Sequence, residues 1–228
     1  MRLMADEVAV IVGAGPGLGA ALARAAGTAE MKAVVASRSA SSIAEVARST
    51  GATPVQCDAT DGASVDALFE KVRRDLGVPS LVVYNASRRV RGPATELDRA
   101  AVRQAIEITA FAGFLVAQAA IRLMLPAGRG SLLFTGASAS VKGYPESATF
   151  AMGKFALRGL AQSLARELGP KGIHVAHVII DGAIGRAGAN EVGKLDPDAI
   201  AATYLQIHRQ PASTWAHEVD LRPLIEKF

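Results

Sequence analysis

The chain has a single cysteine, Cys57, which excludes a disulfide framework and a cysteine-based zinc site. Aromatic residues make up only 5% of its 228 residues, too few for an aromatic-rich β-sandwich. Ala and Gly are plentiful instead and suit close packing of helices on strands. Charge of one sign is scarce as well: the net charge is +4 at pH 7, spread over both halves of the chain. A nucleic-acid binder gathers its basic charge on one face, so no nucleic-acid partner is expected. There is no Pro/Ser-rich linker, no internal repeat and no long uninterrupted apolar run. The longest apolar segment, between Glu107 and Arg122, is broken by Thr109 and Gln118. It falls short of the roughly 20 apolar residues a bilayer requires. The N-terminus, MRLMADEVAVIVGAG, puts two acidic residues before its apolar run, unlike a secretory signal. Half the residues are hydrophobic, too many for a disordered chain. The expectation is a cytoplasmic protein with a reduced thiol and no membrane partner.

Short apolar runs alternate with longer helical patterns. Strands are expected at Val8–Val12, Ala33–Ala36, Thr53–Cys57, Ser80–Tyr84, Ser131–Thr135 and Ile173–Ile180, with a last one at Trp215–Leu221. Helices are expected at Ala20–Ala26, Ser42–Ser49, Val65–Leu76, Leu97–Leu125 and Thr149–Leu168, and at Pro197–His208 with Asp196 as N-cap. Strands alternating with helices imply a parallel sheet covered on both faces. The fold class is therefore α/β: one doubly wound, Rossmann-type domain over residues 1–228. Its cofactor-binding half spans about residues 1–130, and its active-site and substrate-loop half about 131–228. Ligands of such sheets bind at the carboxyl ends of the strands, and the motifs below fall there.

The first strand ends in Val12-Gly13-Ala14-Gly15-Pro16-Gly17-Leu18-Gly19. Gly13 and Gly15 fit G-x-G-x-x-G, but Leu18 occupies the third glycine position. G-x-x-x-G-x-G fits instead, through Gly13, Gly17 and Gly19. Such a turn lets backbone approach a pyrophosphate and aims a helix N-terminus at it. A ligand-free tight turn is the plainer alternative.

Here the chain resembles the classical short-chain dehydrogenase/reductase family, whose usual glycine motif is T-G-x-x-x-G-x-G, with Val12 in place of the Thr. The likeness continues through Asp58 and through Tyr84-Asn85-Ala86-Ser87, where the family carries N-N-A-G. It then runs through Ser131–Lys154 to Gly182, covering about residues 7–185. The resemblance implies a pyrophosphate-binding turn including Gly15 and Leu18, and an adenine pocket at Asp58-Ala59. It places Asn85-Ala86 on the adenine-ribose side and Asp181-Gly182 after the sixth strand, where the family has P-G. Asp58 also reads as a helix N-cap, and both roles can hold together.

An NAD site places an acid about 20 residues after the glycines, on the ribose 2′-hydroxyl. Strand two ends instead in Ala36-Ser37-Arg38-Ser39. A guanidinium forks onto a 2′-phosphate, and Ser37 adds a hydroxyl, so NADP(H) is preferred and NAD(H) remains possible. A solvated surface Arg38 is the alternative.

The family works with Asn, Ser, Tyr and Lys, the last two as Y-x-x-x-K on one helical face. Here the motif reads Phe150-Ala151-Met152-Gly153-Lys154, so Lys154 is kept and the Tyr is Phe150. The Ser position, thirteen residues before it, is Ala137; Ser138 and Ser140 follow closely. The Asn position matches Thr109. The chain resembles a divergent branch of the family in which Phe replaces the Tyr. Two readings follow. Either the chain binds a dinucleotide without ordinary carbonyl reduction, as a sensor or scaffold, or Tyr144, Ser138 or Ser140 supplies the proton. A small-molecule carbonyl or alcohol is the implied substrate.

Arg88, Arg89 and Arg91 read as a solvated loop in preference to a cleft rim holding an anion. His174 and His177 point to opposite faces of their strand, so no metal site is expected. Cys57 reads as an inert core thiol and Trp215 as packing. Gly185–Leu195 is either a substrate-covering loop or disordered. The helices around Ile106–Leu125 and Thr149–Leu168 are apolar on nearly every side, which implies a homodimer or homotetramer.

Overall fold

A computed structural model describes residues 7–189 and 191–225. The leader reading of residues 1–6, and Asn190 within the Gly185–Leu195 loop, lie outside the described residues. Seven strands form one parallel sheet: β1 Val8–Val12, β2 Lys32–Ser37, β3 Thr53–Gln56, β4 Leu81–Tyr84, β5 Gly130–Thr135, β6 Ile173–Ile180 and β7 Glu218–Leu221. Their order is β3-β2-β1-β4-β5-β6-β7. Helices are α1 Leu18–Thr28, α2 Ala40–Thr50, α3 Gly62–Asp75, α4 Arg99–Ile106, α5 Ala112–Ala127, α6 Ala148–Leu168 and α7 Pro197–His208. The expected doubly wound fold is the observed one.

The inner strands are mostly apolar because both faces are covered: every residue of β1, β4 and β6 is buried, including His174 and His177 of β6. On one face Val65, Phe69, Val116 and Leu157 bring α3, α5 and α6 onto the sheet. On the other, Ala21, Ile43, Ile200 and Tyr204 do the same for α1, α2 and α7. Asx and Ser caps start the helices: Ser39 accepts from the Ser42 N–H, Asp98 from Ala101, and Asp196, as expected, from Asp198. The chain runs outward from β1 in both directions, so the β1/β4 boundary is the switch point where a crevice opens.

Four expectations need correction. The long helix begins at Arg99 rather than Leu97 and is not uniform. Residues Glu107–Phe111 form a π turn between α4 and α5. There the Ile108 carbonyl accepts the buried Tyr84 phenol, which holds the helix close to β4. Second, the N-cap of α3 is Asp61, whose carboxylate accepts from Ala63 and Ser64; Asp58 does not cap the helix. Third, β3 ends at Gln56 and β7 spans only Glu218–Leu221. Trp215 precedes β7 and stacks on His174 with ring centroids 4.8 Å apart, so it is packing. Fourth, Arg99–Ala127 taken whole is long and apolar enough to cross a membrane by length and composition. In this fold it lies on the sheet, with half of its most apolar stretch buried.

Candidate active site

The carboxyl ends of β1, β2, β4, β5 and β6 open into two adjoining cavities that share Asn85 and Ser87 in their walls. The smaller, about 270 Å³, is lined by Gly13, Ala14, Ser37, Arg38, Cys57, Asp58, Ala59 and Ala86, among others. The larger, about 760 Å³, is lined by Gly17, Leu18, Arg89, Arg91, Ser138, Tyr144, Phe150, Lys154, Asp181 and Gly182, among others. Of the cofactor positions expected from sequence, Gly15 and Gly19 line neither cavity.

The glycine turn has mixed reasons for its glycines. Gly13 has φ +87°, and a Cβ there would lie 2.3 Å from the Ala86 nitrogen. A Cβ at Gly19 would meet Ala14 Cα at 2.7 Å. These two glycines let protein pack on protein. Gly15 and Gly17 face open space, as close backbone approach by a ligand demands. Asn85 locks the turn to β4, its Nδ2 donating to the Gly13 carbonyl at 3.1 Å.

In the smaller cavity one oxygen of Asp58 accepts from the Thr60 N–H at 3.0 Å and from its hydroxyl at 2.7 Å. These bonds, with a smaller contribution from the Arg38 guanidinium, hold its carboxyl below the usual range. Ser37 and Arg38 end β2 beside it. Cys57 is buried, and burial pushes its thiol pKa up, as fits an inert core residue.

In the larger cavity the first two turns of α6 carry Phe150 and Lys154 on one face. Lys154 is 2% exposed and its ammonium donates to the Thr135 carbonyl at 2.6 Å. Burial lowers its pKa to about 7. Its Nζ lies 5.7 Å from the Phe150 ring centroid, and the Arg89 guanidinium carbon lies 5.2 Å from the same centroid. Tyr144 is 42% exposed and lies under Lys142, whose Nζ is 5.6 Å from its ring centroid. Ser138 lines the cavity, but Ser140 does not. Ser140 is buried, bonded to the Ala137 N–H at 3.2 Å and to His177 Nε2 at 3.2 Å. It is a structural residue and leaves the set of proton sources. Thr109 is fully buried in the π turn and accepts the Arg88 N–H at 3.1 Å. Asp181 faces Arg222 at 3.1 Å and Lys142 at 3.8 Å.

Arg88, Arg89 and Arg91 are all exposed on a loop, as the solvated-loop reading expects. Arg89 and Arg91 also line the larger cavity, while Arg88 lines neither. Sequence reasoning also missed Ser147, which accepts from Arg89 Nη2 at 3.3 Å. No local pattern could reveal it, because the two residues lie 58 positions apart.

A sequence profile of the short chain dehydrogenase family matches residues 7–203. An uncharacterized oxidoreductase of Staphylococcus aureus is 26% identical over 98% of this chain and 100% of its own length. A short chain aldehyde dehydrogenase of Euphorbia lathyris is 30% identical over 89% of this chain and 73% of its own. Among solved structures, a short-chain dehydrogenase from Rhodopseudomonas palustris is 32% identical with a TM-score of 0.85, covering 96% of this chain and 99% of its own. A metagenomic short-chain oxidoreductase in complex with NADP is 25% identical with a TM-score of 0.86, covering 98% of this chain and 99% of its own. Together with the sheet order, the glycine turn and the Lys154 cleft, these matches make the chain a member of the short chain dehydrogenase family.

Proposed function

We propose that the chain is an NADP(H)-dependent oxidoreductase acting on a small carbonyl or alcohol, with an incomplete catalytic tetrad. The observation that carries the reading is the pair of joined cavities: Arg38 and Ser37 at one end, Lys154 and Ser138 at the other. The residues fit a nicotinamide dinucleotide. Gly15 and Gly17 leave room beside the N-terminus of α1, Asp58-Ala59 and Asn85-Ala86 wall the adenosine end, and Asp181-Gly182 wall the nicotinamide end. No acid stands among Ser37, Arg38 and Ser39 to bind an unphosphorylated ribose, while Arg38 suits a 2′-phosphate. The NADP in the metagenomic relative supports the same preference.

The bound dinucleotide supplies or accepts the hydride. Lys154 holds its position through the Thr135 carbonyl, and burial lowers its pKa to about 7. Phe150 stands where the family carries its proton-donating Tyr and has no proton to give. Ser138 and Tyr144 are among the hydroxyl residues that line the same cavity, and they are the proposed proton sources.

The Phe150 ring favours a second reading, a catalytically impaired dinucleotide-binding sensor or scaffold on the same fold. NADPH oxidation with a panel of carbonyls separates the two, in the parent protein and in Phe150→Tyr. The enzyme reading expects measurable turnover in the parent and a rise of at least about tenfold in the variant, since a general acid is worth roughly 10²–10⁴. A silent parent and a silent variant that both bind NADPH favour the sensor.

A further inference from the structure

Resting on the reading of this cleft as one for a carbonyl or alcohol, we infer that its substrate carries an anionic oxygen group, a carboxylate or a phosphate, held by Arg89 and Arg91. Both arginines come from the segment that leaves the carboxyl end of β4 and line the larger cavity.

That segment is pinned. The Arg88 N–H donates to Thr109 Oγ1 at 3.1 Å, the Val90 N–H to Thr149 Oγ1 at 3.3 Å, and the Gly92 N–H to the Glu146 carbonyl at 3.1 Å. The Thr149 hydroxyl in turn donates to the Val90 carbonyl at 2.6 Å. Thr109 and Thr149 are both buried and their bonds to Arg88 and Val90 are partly buried, so water competes with them less than at the open surface. The backbone carrying the two guanidinium groups is ordered before any ligand arrives, which lowers the entropy cost of binding one.

Arg89 is fixed further, over the Phe150 ring at 5.2 Å and against the buried Ser147 hydroxyl at 3.3 Å. The Ser147 bond uses one of the five N–H donors of a guanidinium, and the fork geometry of the rest matches a carboxylate or phosphate.

The charge balance of the cavity points the same way. Its charged lining residues are Arg89, Arg91, Lys154 and Asp181. Asp181 is already matched by Arg222 and Lys142, so it does little to offset the two arginines. A cleft with an excess of positive charge raises the local concentration of anions.

Three aldehydes of one scaffold test the inference: 4-formylbenzoate, 4-formylphenyl phosphate and the neutral methyl 4-formylbenzoate. Each is titrated calorimetrically into NADPH-loaded and cofactor-free protein. The expected result is that at least one anion binds about tenfold or more tightly than the ester. Which anion wins assigns carboxylate or phosphate. The advantage should disappear in the Arg89→Gln/Arg91→Gln double variant and in large part in Arg91→Gln alone. It should survive in Arg88→Gln and shrink as salt rises from about 0.05 M to about 0.5 M. NADPH affinity of each variant reports that it is folded. An ester that binds as tightly as both anions, or an advantage that persists without the two arginines, overturns the inference. If NADPH itself fails to bind, the cofactor reading falls, and the anion comparison on cofactor-free protein still decides this one.

Discussion

Lys154 is a cation that the fold buries completely, and its cost is measurable. Its pKa drops from 10.5 to about 7 because burial disfavours the ammonium. Between those values the unfolded chain holds a proton that the folded chain has released. Stability therefore rises with pH through that window, on the order of 1 kcal/mol per pH unit. Lys154→Met should remove this contribution. In urea unfolding of cofactor-free protein, the variant should gain most over the parent near pH 7 and progressively less toward pH 10. A gap that does not change with pH would show that the side chain is not desolvated. At this scale Lys154 and Phe150 were legible in the sequence because i and i+4 spacing fixes them on one helical face. Arg89 was not, because its place over Phe150 depends on a loop after β4 meeting the start of α6. The roles of Gly13 and Gly19 were hidden for a similar reason. A glycine pattern says that space is needed and does not say whether protein or ligand fills it.

The elements that shape the cleft meet closely because glycines remove side chains at their crossings. A Cβ at Gly153 of α6 would lie 2.8 Å from Thr109 Cβ, and one at Gly113 of α5 would lie 2.8 Å from Leu157 Cδ1. Gly153→Ala should destabilise the fold by roughly 1–3 kcal/mol through overpacking, read as a lower urea midpoint with an unchanged slope. A neutral effect would mean that the π turn yields to accommodate the methyl. The glycine turn makes the opposite prediction for Gly17, where the space is open. Gly17→Val should keep the far-UV circular dichroism spectrum and lose dinucleotide binding. Retained binding would reduce the motif to a turn. The element order was legible from alternating apolar runs and helical periods, with ends off by a few residues. The π turn was not, since one extra residue in a helical turn barely disturbs an apolar pattern that long.

At the scale of the whole molecule, the π turn, α5 and α6 expose large apolar side chains: Phe111 is 51% exposed, Phe114 40%, Met152 51% and Phe155 45%. We propose that these helices pair about a two-fold axis, which would cover them. Light scattering at micromolar concentration should give about two or four times the 23.6 kDa chain mass; a value near 23.6 kDa would refute assembly. The doubly wound sheet, legible in the sequence as strands alternating with helices, brings Arg38, after β2, and Lys154, on α6 beside the end of β5, to the same edge of the sheet although they are far apart in the chain. The joined cleft between them is the basis of the account, and a cofactor titration tests it most directly. Fluorescence titration of the cofactor-free protein should show NADPH binding about tenfold or more tightly than NADH, with the difference abolished in Arg38→Ala. Equal or tighter binding of NADH, or an NADPH preference untouched by Arg38→Ala, would contradict the account.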